Sequence, residues 1–209
     1  MSSSPLGREP MYIPHSRQYT LCSFSSVSFS PPSGGSMDTD DELIILDLNG
    51  TLLRTDYDGK LFKDMSCDFV VGKKRVYVRP FVHTFLDTLF ARYRVAVWTC
   101  ARASQAKRIC QLVFQHRYKA LEFVWSQDEC EHIRDDSRPN GVRYEKNIER
   151  VTGFARDRVL LVDDSPRKSG KYVHQCIHVK TYNPATPGLD TELECVCSKI
   201  ERHLHRVQV

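Results

Sequence analysis

Five side chains at or near the ends of predicted strands combine groups that are useful in catalysis. Asp47 ends one apolar run, Thr99 ends a second, and Asp163 and Asp164 end a third. Lys146 lies shortly before the third run. Each residue alone is ordinary, because Asp and Thr are common in turns and at strand ends and most lysines are solvated. Their joint placement at strand ends is what predicts a site.

A carboxylate, a hydroxyl, an ammonium and a carboxylate pair in one pocket would suit the transfer of a phosphoryl group to an aspartate. Asp47 would be the nucleophile. The acidic residues would hold Mg²⁺, whose charge keeps Asp47 ionised among like charges. Thr99 and Lys146 would stabilise the charge on the phosphoryl oxygens.

Strands and helices alternate along the sequence from residue 41 onward. This alternation predicts an α/β fold with a doubly wound, mainly parallel sheet and helices on both faces. Ligands of such sheets bind beyond the carboxyl ends of the strands, so the candidate residues would converge there. Lys146 would lie in a helix. The predicted strands are 43–48, 94–99, 121–125, 158–162 and 175–182, and the predicted helices are 80–93, 104–114, 144–154 and 190–204.

The segment 126–143 breaks this alternation. It is polar and contains Pro139-Asn140-Gly141, which is a turn or hairpin signal. We predict a small insertion here, which would either shape substrate choice or form a plain surface loop.

Residues 1–38 differ in composition from the rest of the chain. They are rich in Ser, Pro and Gly and have no sustained period, which predicts a disordered tail before a single domain at 39–209. Met37 precedes the ordered pattern directly and is an alternative start. A mitochondrial presequence is a weaker interpretation, because Glu9 and the prolines disfavour an amphipathic helix.

Composition limits the classes of partner. The net charge of +4 suits an anionic ligand but is too weak and dispersed to predict nucleic-acid binding. Apolar runs of about four residues predict no membrane span, and the N-terminus has no secretory signal. The eight cysteines form no Cys-x-x-Cys pair, which indicates free thiols in a reducing compartment. We therefore expect an intracellular monomer, cytoplasmic or nuclear.

Four segments carry a family resemblance: "DLNGTLL", "VWTCA", "KNIERV" and "VLLVDDSP". They resemble the four motifs of the haloacid dehalogenase superfamily, and more narrowly the C-terminal-domain phosphatases of RNA polymerase II, also called NLI-interacting-factor-like. "YVRPFVHTFLDTL" and "VKTYNP" resemble the same branch. The similarity runs from residue 41 to the C-terminus. It implies a phosphatase without a large cap domain that acts on phosphoproteins, with the polymerase C-terminal domain as one candidate.

The resemblance implies roles on the phosphate side of the site. Asp47 would form an aspartyl-phosphate. Thr99, Cys100 and Lys146 would form the phosphate-binding part of the site, with Cys100 as a buried neighbour of Thr99.

The resemblance also implies a Mg²⁺ site. Asp47, Asp164 and the backbone carbonyl of Asn49 would bind the metal. Asp163 would support the lysine and the metal's waters, and Thr51 would brace the loop after the nucleophile.

Asn49 departs from the pattern, which has a carboxylate there as general acid and base. A carboxamide cannot transfer protons usefully near pH 7, and such catalysis is typically worth ~10²–10⁴-fold. Phosphate-monoester hydrolysis can be accelerated by up to ~10²¹-fold, so a slow enzyme is expected rather than an inactive one. Aryl phosphates, whose leaving groups need little protonation, should react better than phosphoserine. Alternatively, Asp56 or Asp58 supplies the proton.

Rival functions use some of the same residues. A cysteine phosphatase needs Cys-x₅-Arg, but the sixth residue after Cys100 is Ala106. In a receiver domain the acidic pair precedes the phosphorylated Asp, whereas here it follows Asp47. The serious alternative is a pseudophosphatase that binds a phosphoprotein or a phosphatase partner. Asn49 favours that alternative, and the other intact motif residues disfavour it.

Overall fold

The structure is a computed structural model that describes residues 42–139, 141–186, 188 and 190–206. The tail predicted at residues 1–38 and the alternative start at Met37 lie outside the described residues, as does Asn140 of the predicted turn.

Five parallel strands form the central sheet. The strand Leu43–Leu46 (β1) packs between Arg94–Trp98 (β5) and Val159–Asp163 (β9), so its four residues are fully buried. Strands buried on both faces are apolar throughout, which explains the unbroken run "LIIL". The α/β class and the mainly parallel sheet are therefore confirmed. In spatial order the strands are β10 (Cys176–His178), β9 (Val159–Asp163), β1 (Leu43–Leu46), β5 (Arg94–Trp98) and β6 (Val124–Trp125).

Helices of different kinds cover the two faces of this sheet. Ile44 and Leu46 of β1 pack in one core with the long α-helices, whereas Leu43 and Ile45 face short 3₁₀ helices. This division follows from the alternation of side chains along a strand. The α-helices are α1 (Val82–Phe90), α2 (Ala103–Phe114), the four-residue α3 (Pro166–Ser169) and α4 (Glu192–Arg206), and the 3₁₀ helices are Gln115–Ala120, Gln127–Glu129, Ile148–Arg150, Arg156–Arg158 and Gly170–Gln175.

A small antiparallel sheet lies between β1 and α1 in the chain, and the sequence reasoning missed it. Its order is β2-β4-β3, with β2 at Leu53–Tyr57, β3 at Phe69–Val71 and β4 at Lys74–Val78. Gly72, with a φ of 61°, and Lys73 form the two-residue turn between β3 and β4. Glycine at the first position of a two-residue turn is a hairpin signal that the sequence carried.

The segment predicted as an insertion at 126–143 contains an antiparallel hairpin. β7 (Glu131–Arg134) pairs with β8 (Val142–Glu145), which confirms the hairpin signal. The prediction of a helix at 144–154 is wrong, because this segment contains the end of β8 and the 3₁₀ helix Ile148–Arg150. Tyr144 and Ile148 have helical spacing, but pairing with β7 outweighs this local preference. Lys146 therefore follows a strand and does not lie in a helix.

Most other predicted elements are present with shorter bounds. The strand predicted at 121–125 is reduced to the edge strand Val124–Trp125, and the one predicted at 175–182 to Cys176–His178. None of the helices in the described part of the chain has the length and apolar character needed to cross a membrane.

Candidate active site

The carboxyl ends of the three central strands meet at one edge of the sheet. Asp47 is one residue beyond β1, Thr99 is one residue beyond β5, and Asp163 is the last residue of β9. Leu46 pairs in register with residues of both neighbouring strands, so the three ends are level. The chain leaves β1 and β9 toward opposite edges of the sheet, which makes this the switch point where ligands of such folds bind.

Lys146 joins two of these carboxylates. Its Nζ donates hydrogen bonds to Asp47 Oδ1 at 2.8 Å and to Asp163 Oδ2 at 2.5 Å. Lys146 and Asp163 are fully buried, and Asp47 is 1% exposed. Buried charges of this kind persist only when they are paired and hydrogen-bonded. The predicted association of these three residues is therefore observed, although Lys146 reaches them from the end of a hairpin.

A second lysine, Lys168, was not predicted and contacts all three carboxylates. Its Nζ lies 3.0 Å from Asp47 Oδ2, 3.2 Å from Asp163 Oδ1 and 3.5 Å from Asp164 Oδ1. Lys168 lies in α3, and its backbone carbonyl accepts a hydrogen bond from the Lys146 N–H. The two lysines are thus held together by backbone as well as through shared carboxylates.

The charges of this cluster set the pKa values of its members. Burial alone would raise the pKa of Asp47, but the charges and hydrogen bonds of Lys146 and Lys168 outweigh burial and lower it. Burial and the nearby Asp47 carboxylate raise the pKa of Asp163 despite the lysines. Burial would lower the pKa of both lysines, but the surrounding carboxylates raise it. Asp47 is therefore an anion, and both lysines are cations, near neutral pH.

The same carboxylates fit a divalent metal. Asp47, Asp163 and Asp164 each offer an oxygen, and the three oxygens lie within 4.8 Å of one another. Hard carboxylate oxygens are the donors that Mg²⁺ prefers. Asp164 also accepts a hydrogen bond from Thr181 Oγ1 at 2.7 Å, which helps to orient its carboxylate.

The loop that follows Asp47 is held by its own backbone and by Asp164. The Leu48 carbonyl accepts hydrogen bonds from three successive backbone N–H groups, and Thr51 Oγ1 accepts one from the Asp164 N–H at 3.0 Å. Gly50 has a φ of 95°, and a Cβ there would lie 2.2 Å from Asp164 Oδ2. Only glycine fits this conformation and this close approach. The predicted bracing by Thr51 is observed.

Arg79 supports the loop that follows Asp47. This role of Arg79 was not predicted from the sequence. Its guanidinium is buried, pairs with both oxygens of Asp190 at 2.9 and 3.0 Å, and donates to the Thr51 and Lys180 carbonyls. A planar guanidinium can satisfy these several acceptors at once. Arg79 therefore ties the loop to the segment before α4.

The side chain of Asn49 is oriented by Thr55. Asn49 Oδ1 accepts hydrogen bonds from the Thr55 N–H and from Thr55 Oγ1, both at 2.8 Å. A backbone N–H can only donate, so the amide oxygen must face Thr55. The amide nitrogen of the Asn49 side chain therefore faces away from Thr55. It can donate hydrogen bonds but cannot accept them.

The two aspartates considered as substitutes for Asn49 are engaged elsewhere. Thr55 and Asp56 are neighbours on β2, so their side chains point to opposite sides of the strand. The Asp56 carboxylate accepts hydrogen bonds from backbone N–H groups at 60–62. Asp58 is exposed, with a φ of 55°. Neither of the two is among the described residues that line the cavity above Asp47.

That cavity has a volume of about 190 Å³. Thr99 is 2% exposed, and its Oγ1 accepts a hydrogen bond from the Ala101 N–H at 3.3 Å. The loop around Thr99 leads into α2, whose N-terminal partial positive charge favours an anion nearby. The lining residues are Asp47, Leu48, Asn49, Leu53, Thr55, Lys74, Thr99, Cys100, Ala101, Ile109 and Lys168.

Cys100 lies beside Thr99, as predicted, and lines the cavity. Its Sγ is 3.9 Å from the Sγ of Cys130. The contact with Cys130 and burial raise the pKa of Cys100 well above its ordinary value. A protonated thiol is a poor nucleophile, which agrees with the rejection of a cysteine phosphatase.

The structure thus brings together all seven predicted site residues, namely Asp47, Asn49, Thr99, Cys100, Lys146, Asp163 and Asp164. Sequence reasoning missed Lys168 and Arg79. A lysine two residues after "DDSP" and an arginine inside the apolar segment "VYVRPFV" were the available signals.

Comparison with known proteins adds a family and a fold. The model of the NLI interacting factor-like phosphatase family matches residues 42–208. The similar solved structures include two of Fcp1: one titled an essential RNA polymerase II CTD phosphatase, and one of fission yeast Fcp1-R271A bound to beryllium fluoride. They share 16% and 15% sequence identity and TM-scores of 0.51 and 0.53 with this chain. Each match covers 81% of this chain, which spans about half of the other chain (53% and 51%). Comparison with curated proteins gives no match.

Proposed function

The chain belongs to the NLI interacting factor-like phosphatase family, and on that premise we propose that it hydrolyses phosphate monoesters through an aspartyl-phosphate on Asp47. The observation that carries the proposal is the Asp47 carboxylate, buried beneath the cavity and held by two lysines. A carboxylate in such surroundings stays ionised and oriented, as a nucleophile must be.

The first step transfers the phosphoryl group to the protein. A carboxylate oxygen of Asp47 attacks phosphorus while the bond to the ester oxygen breaks, and the leaving group departs as an alkoxide or phenolate that takes its proton from water. Lys146 and Lys168 offset the negative charge of the phosphoryl oxygens, and Thr99 can donate its hydroxyl hydrogen to one of them. Water then hydrolyses the acyl phosphate, which restores Asp47 and releases inorganic phosphate.

We propose that Mg²⁺ binds to Asp47, Asp164 and the backbone carbonyl of Asn49. Asp163 would support this site. The bound ion would neutralise the phosphate charge during transfer.

Asn49 makes the proposed enzyme slow and selective. Its amide nitrogen can donate a hydrogen bond to a phosphate or a leaving group, but it cannot give up a proton. The missing acid–base step is typically worth ~10²–10⁴-fold, or roughly 3–5 kcal/mol. A serine alkoxide needs a proton to leave and a phenolate needs little help, so aryl phosphates should react faster.

We propose phosphoproteins as the substrate class. The described residues form no large cap over the cavity, so an extended peptide could reach Asp47. Fcp1 is titled a phosphatase of the RNA polymerase II C-terminal domain. That domain is one candidate substrate for this chain.

The test is Mg²⁺-dependent turnover of an aryl phosphate by the natural chain, Asp47→Asn and Asn49→Asp. Asp47→Asn should abolish turnover. Asn49→Asp should raise it by roughly 10²-fold or more, because Thr55 would hold one carboxylate oxygen and leave the other for proton transfer. A burst of phenol release should precede the slow steady state of the natural chain.

Two results would contradict this proposal. Turnover that survives Asp47→Asn would place the chemistry elsewhere. Equal rates on phosphoserine peptides and aryl phosphates, without a burst, would show that Asn49 limits nothing.

Phosphoprotein binding without efficient turnover is the second candidate, and the amide of Asn49 favours it. A cavity with two lysines, a hydroxyl and an amide donor suits a bound phosphate whether or not it is cleaved. In that case a phosphopeptide would bind, no phosphate would be released, and Asn49→Asp would weaken binding, since it adds a negative charge.

A further inference from the structure

The Lys168 ammonium lies among the three carboxylates that could hold a divalent metal. It contacts one oxygen on each of Asp47, Asp163 and Asp164, at 3.0, 3.2 and 3.5 Å. Lys146 differs, because among the described residues it forms ion pairs with Asp47 and Asp163 but not with Asp164. Lys168 therefore contacts all three carboxylates of the cluster, as a bound metal would.

The charge balance explains why a cation is held at this position. The three carboxylates and Lys146 together carry two negative charges, in a cluster where two carboxylates are fully or almost fully buried. Lys168 reduces this to one. Uncompensated buried charge is strongly unfavourable, so a lysine in place of a metal stabilises the cluster.

Lys168 is also less enclosed than Lys146. The Lys168 side chain is 21% exposed and that of Lys146 is 0% exposed. Lys168 lines the cavity, so its ammonium can turn into it without breaching the core. Its backbone stays anchored, because its N–H donates to the Ser165 carbonyl and its carbonyl accepts from the Lys146 N–H.

We propose that Lys168 is a tethered cation that competes with Mg²⁺ for Asp47, Asp163 and Asp164, and that Mg²⁺ binding moves its ammonium into the cavity. This inference rests on the proposed metal-dependent function. Lys168 contacts an oxygen of each of the three carboxylates, and two cations this close repel each other, so the ammonium and the metal disfavour each other at this position. The displaced ammonium stays in the cavity wall, beside the position of the phosphoryl group.

Mg²⁺ binding, measured by calorimetry without substrate, tests the competition. Lys168→Met should bind Mg²⁺ roughly 10- to 100-fold more tightly than the natural chain, a change as large as the losses that removal of supporting neighbours of metal ligands commonly causes, with the opposite sign because a competitor is removed. Lys171→Met is the matched control, because Lys171 is 70% exposed and pairs with Glu149 outside the cluster. Its affinity should match that of the natural chain. Equal or weaker binding by Lys168→Met would overturn the inference.

A second measurement uses the natural chain and does not depend on the folding of a variant. Acetylation of Lys168 by an amine-reactive ester, followed by mass spectrometry, should increase several-fold on addition of Mg²⁺, while that of Lys171 stays constant. Unchanged labelling of Lys168 at saturating Mg²⁺ would exclude displacement.

These results are separable from the proposed function. Tighter Mg²⁺ binding by Lys168→Met with no turnover in either protein would sustain the competition and refute the phosphatase. Turnover in both proteins with unchanged Mg²⁺ affinity would do the reverse.

Discussion

Asp47 and Asp56 are both 1% exposed and both have a lowered pKa. They lie in two regions that stabilise a buried carboxylate with different kinds of hydrogen-bond donor. At the edge of the parallel sheet, Asp47 is held by the side chains of Lys146 and Lys168 and borders a cavity. In the small antiparallel sheet, Asp56 is held by main-chain N–H groups of the loop that follows it.

The source of the hydrogen bonds decides what each carboxylate can do. Backbone donors cannot move away without unfolding their loop, so Asp56 is committed to structure. Of the two lysines that hold Asp47, Lys168 is partly exposed and lines the cavity, so Asp47 has one partner that is not locked into the core. The contrast teaches that burial and a lowered pKa do not by themselves distinguish a carboxylate held by its own loop from one that borders a cavity.

The largest effect should follow from removing the buried cation beside Asp47. Lys146→Met leaves buried carboxylates without their partner and should reduce the free energy of unfolding by about 3–5 kcal/mol. Lys168→Met should cost less, because Lys168 is partly exposed. Urea denaturation checks both variants. The double variant Lys146→Met/Asp163→Leu should regain part of the loss, and equal losses for the two lysine variants would break the distinction between them.

Arg79 joins the two regions, since it follows the small sheet and holds the loop after Asp47. Arg79→Met should reduce the free energy of unfolding by roughly 3 kcal/mol, the lower end for a broken buried pair, because Asp190 is 12% exposed. Arg138→Met removes an arginine that pairs with Asp135 at the surface and should cost about 0–1 kcal/mol. Similar midpoints in urea for both variants would argue against a supporting role of Arg79.

Asp56→Asn tests the carboxylate that is held by backbone. Burial would raise the pKa of Asp56, but hydrogen bonds from the N–H groups of Phe62, Leu61 and Lys60 outweigh it and lower the pKa. The stabilisation by Asp56 is therefore present above the unfolded pKa, near 3.9, and is lost as the pH falls through the folded value. Asp56→Asn should lower the midpoint of thermal unfolding at pH 7, and by less as the pH falls below about 4.

A difference between Asp56→Asn and the natural chain that is constant from pH 7 to pH 3 would mean that the charge of Asp56 contributes nothing. Aryl-phosphate turnover at pH 7 should stay near that of the natural chain. A loss of turnover in a folded Asp56→Asn protein would instead make Asp56 the substitute acid.

The smallest effect should come from the boundary between the regions, where Thr55 orients Asn49. Thr55→Val removes one of two hydrogen bonds to Asn49 Oδ1 and should cost about 0.5–1.5 kcal/mol in urea denaturation. Thr55→Ser keeps the hydroxyl and serves as the control. If Thr55→Val and Thr55→Ser were equally stable, the side-chain hydrogen bond to Asn49 would be unimportant.

The parallel part of the fold and the strand-end residues were predictable for a physical reason. Strands that are buried on both faces consist of unbroken apolar runs, which are easy to recognise in a sequence. Parallel strands have their carboxyl ends at one edge of the sheet, so Asp47, Thr99 and Asp163 were expected to converge. The hairpin that carries Lys146 was less predictable. Tyr144 and Ile148 have the spacing of a helix, and only pairing with β7 excludes one.

The sequence by itself determined the class of the fold, the strand ends on which the site stands and the absence of a carboxylate at position 49. Only the tertiary structure decided that Lys168 lies among three carboxylates, that Arg79 holds the loop after Asp47, and that Asp56 faces away from the cavity. The pattern of apolar and polar residues within a segment indicates which of its side chains are buried. The partner of a buried charge comes from distant parts of the chain and is chosen only when those parts pack together.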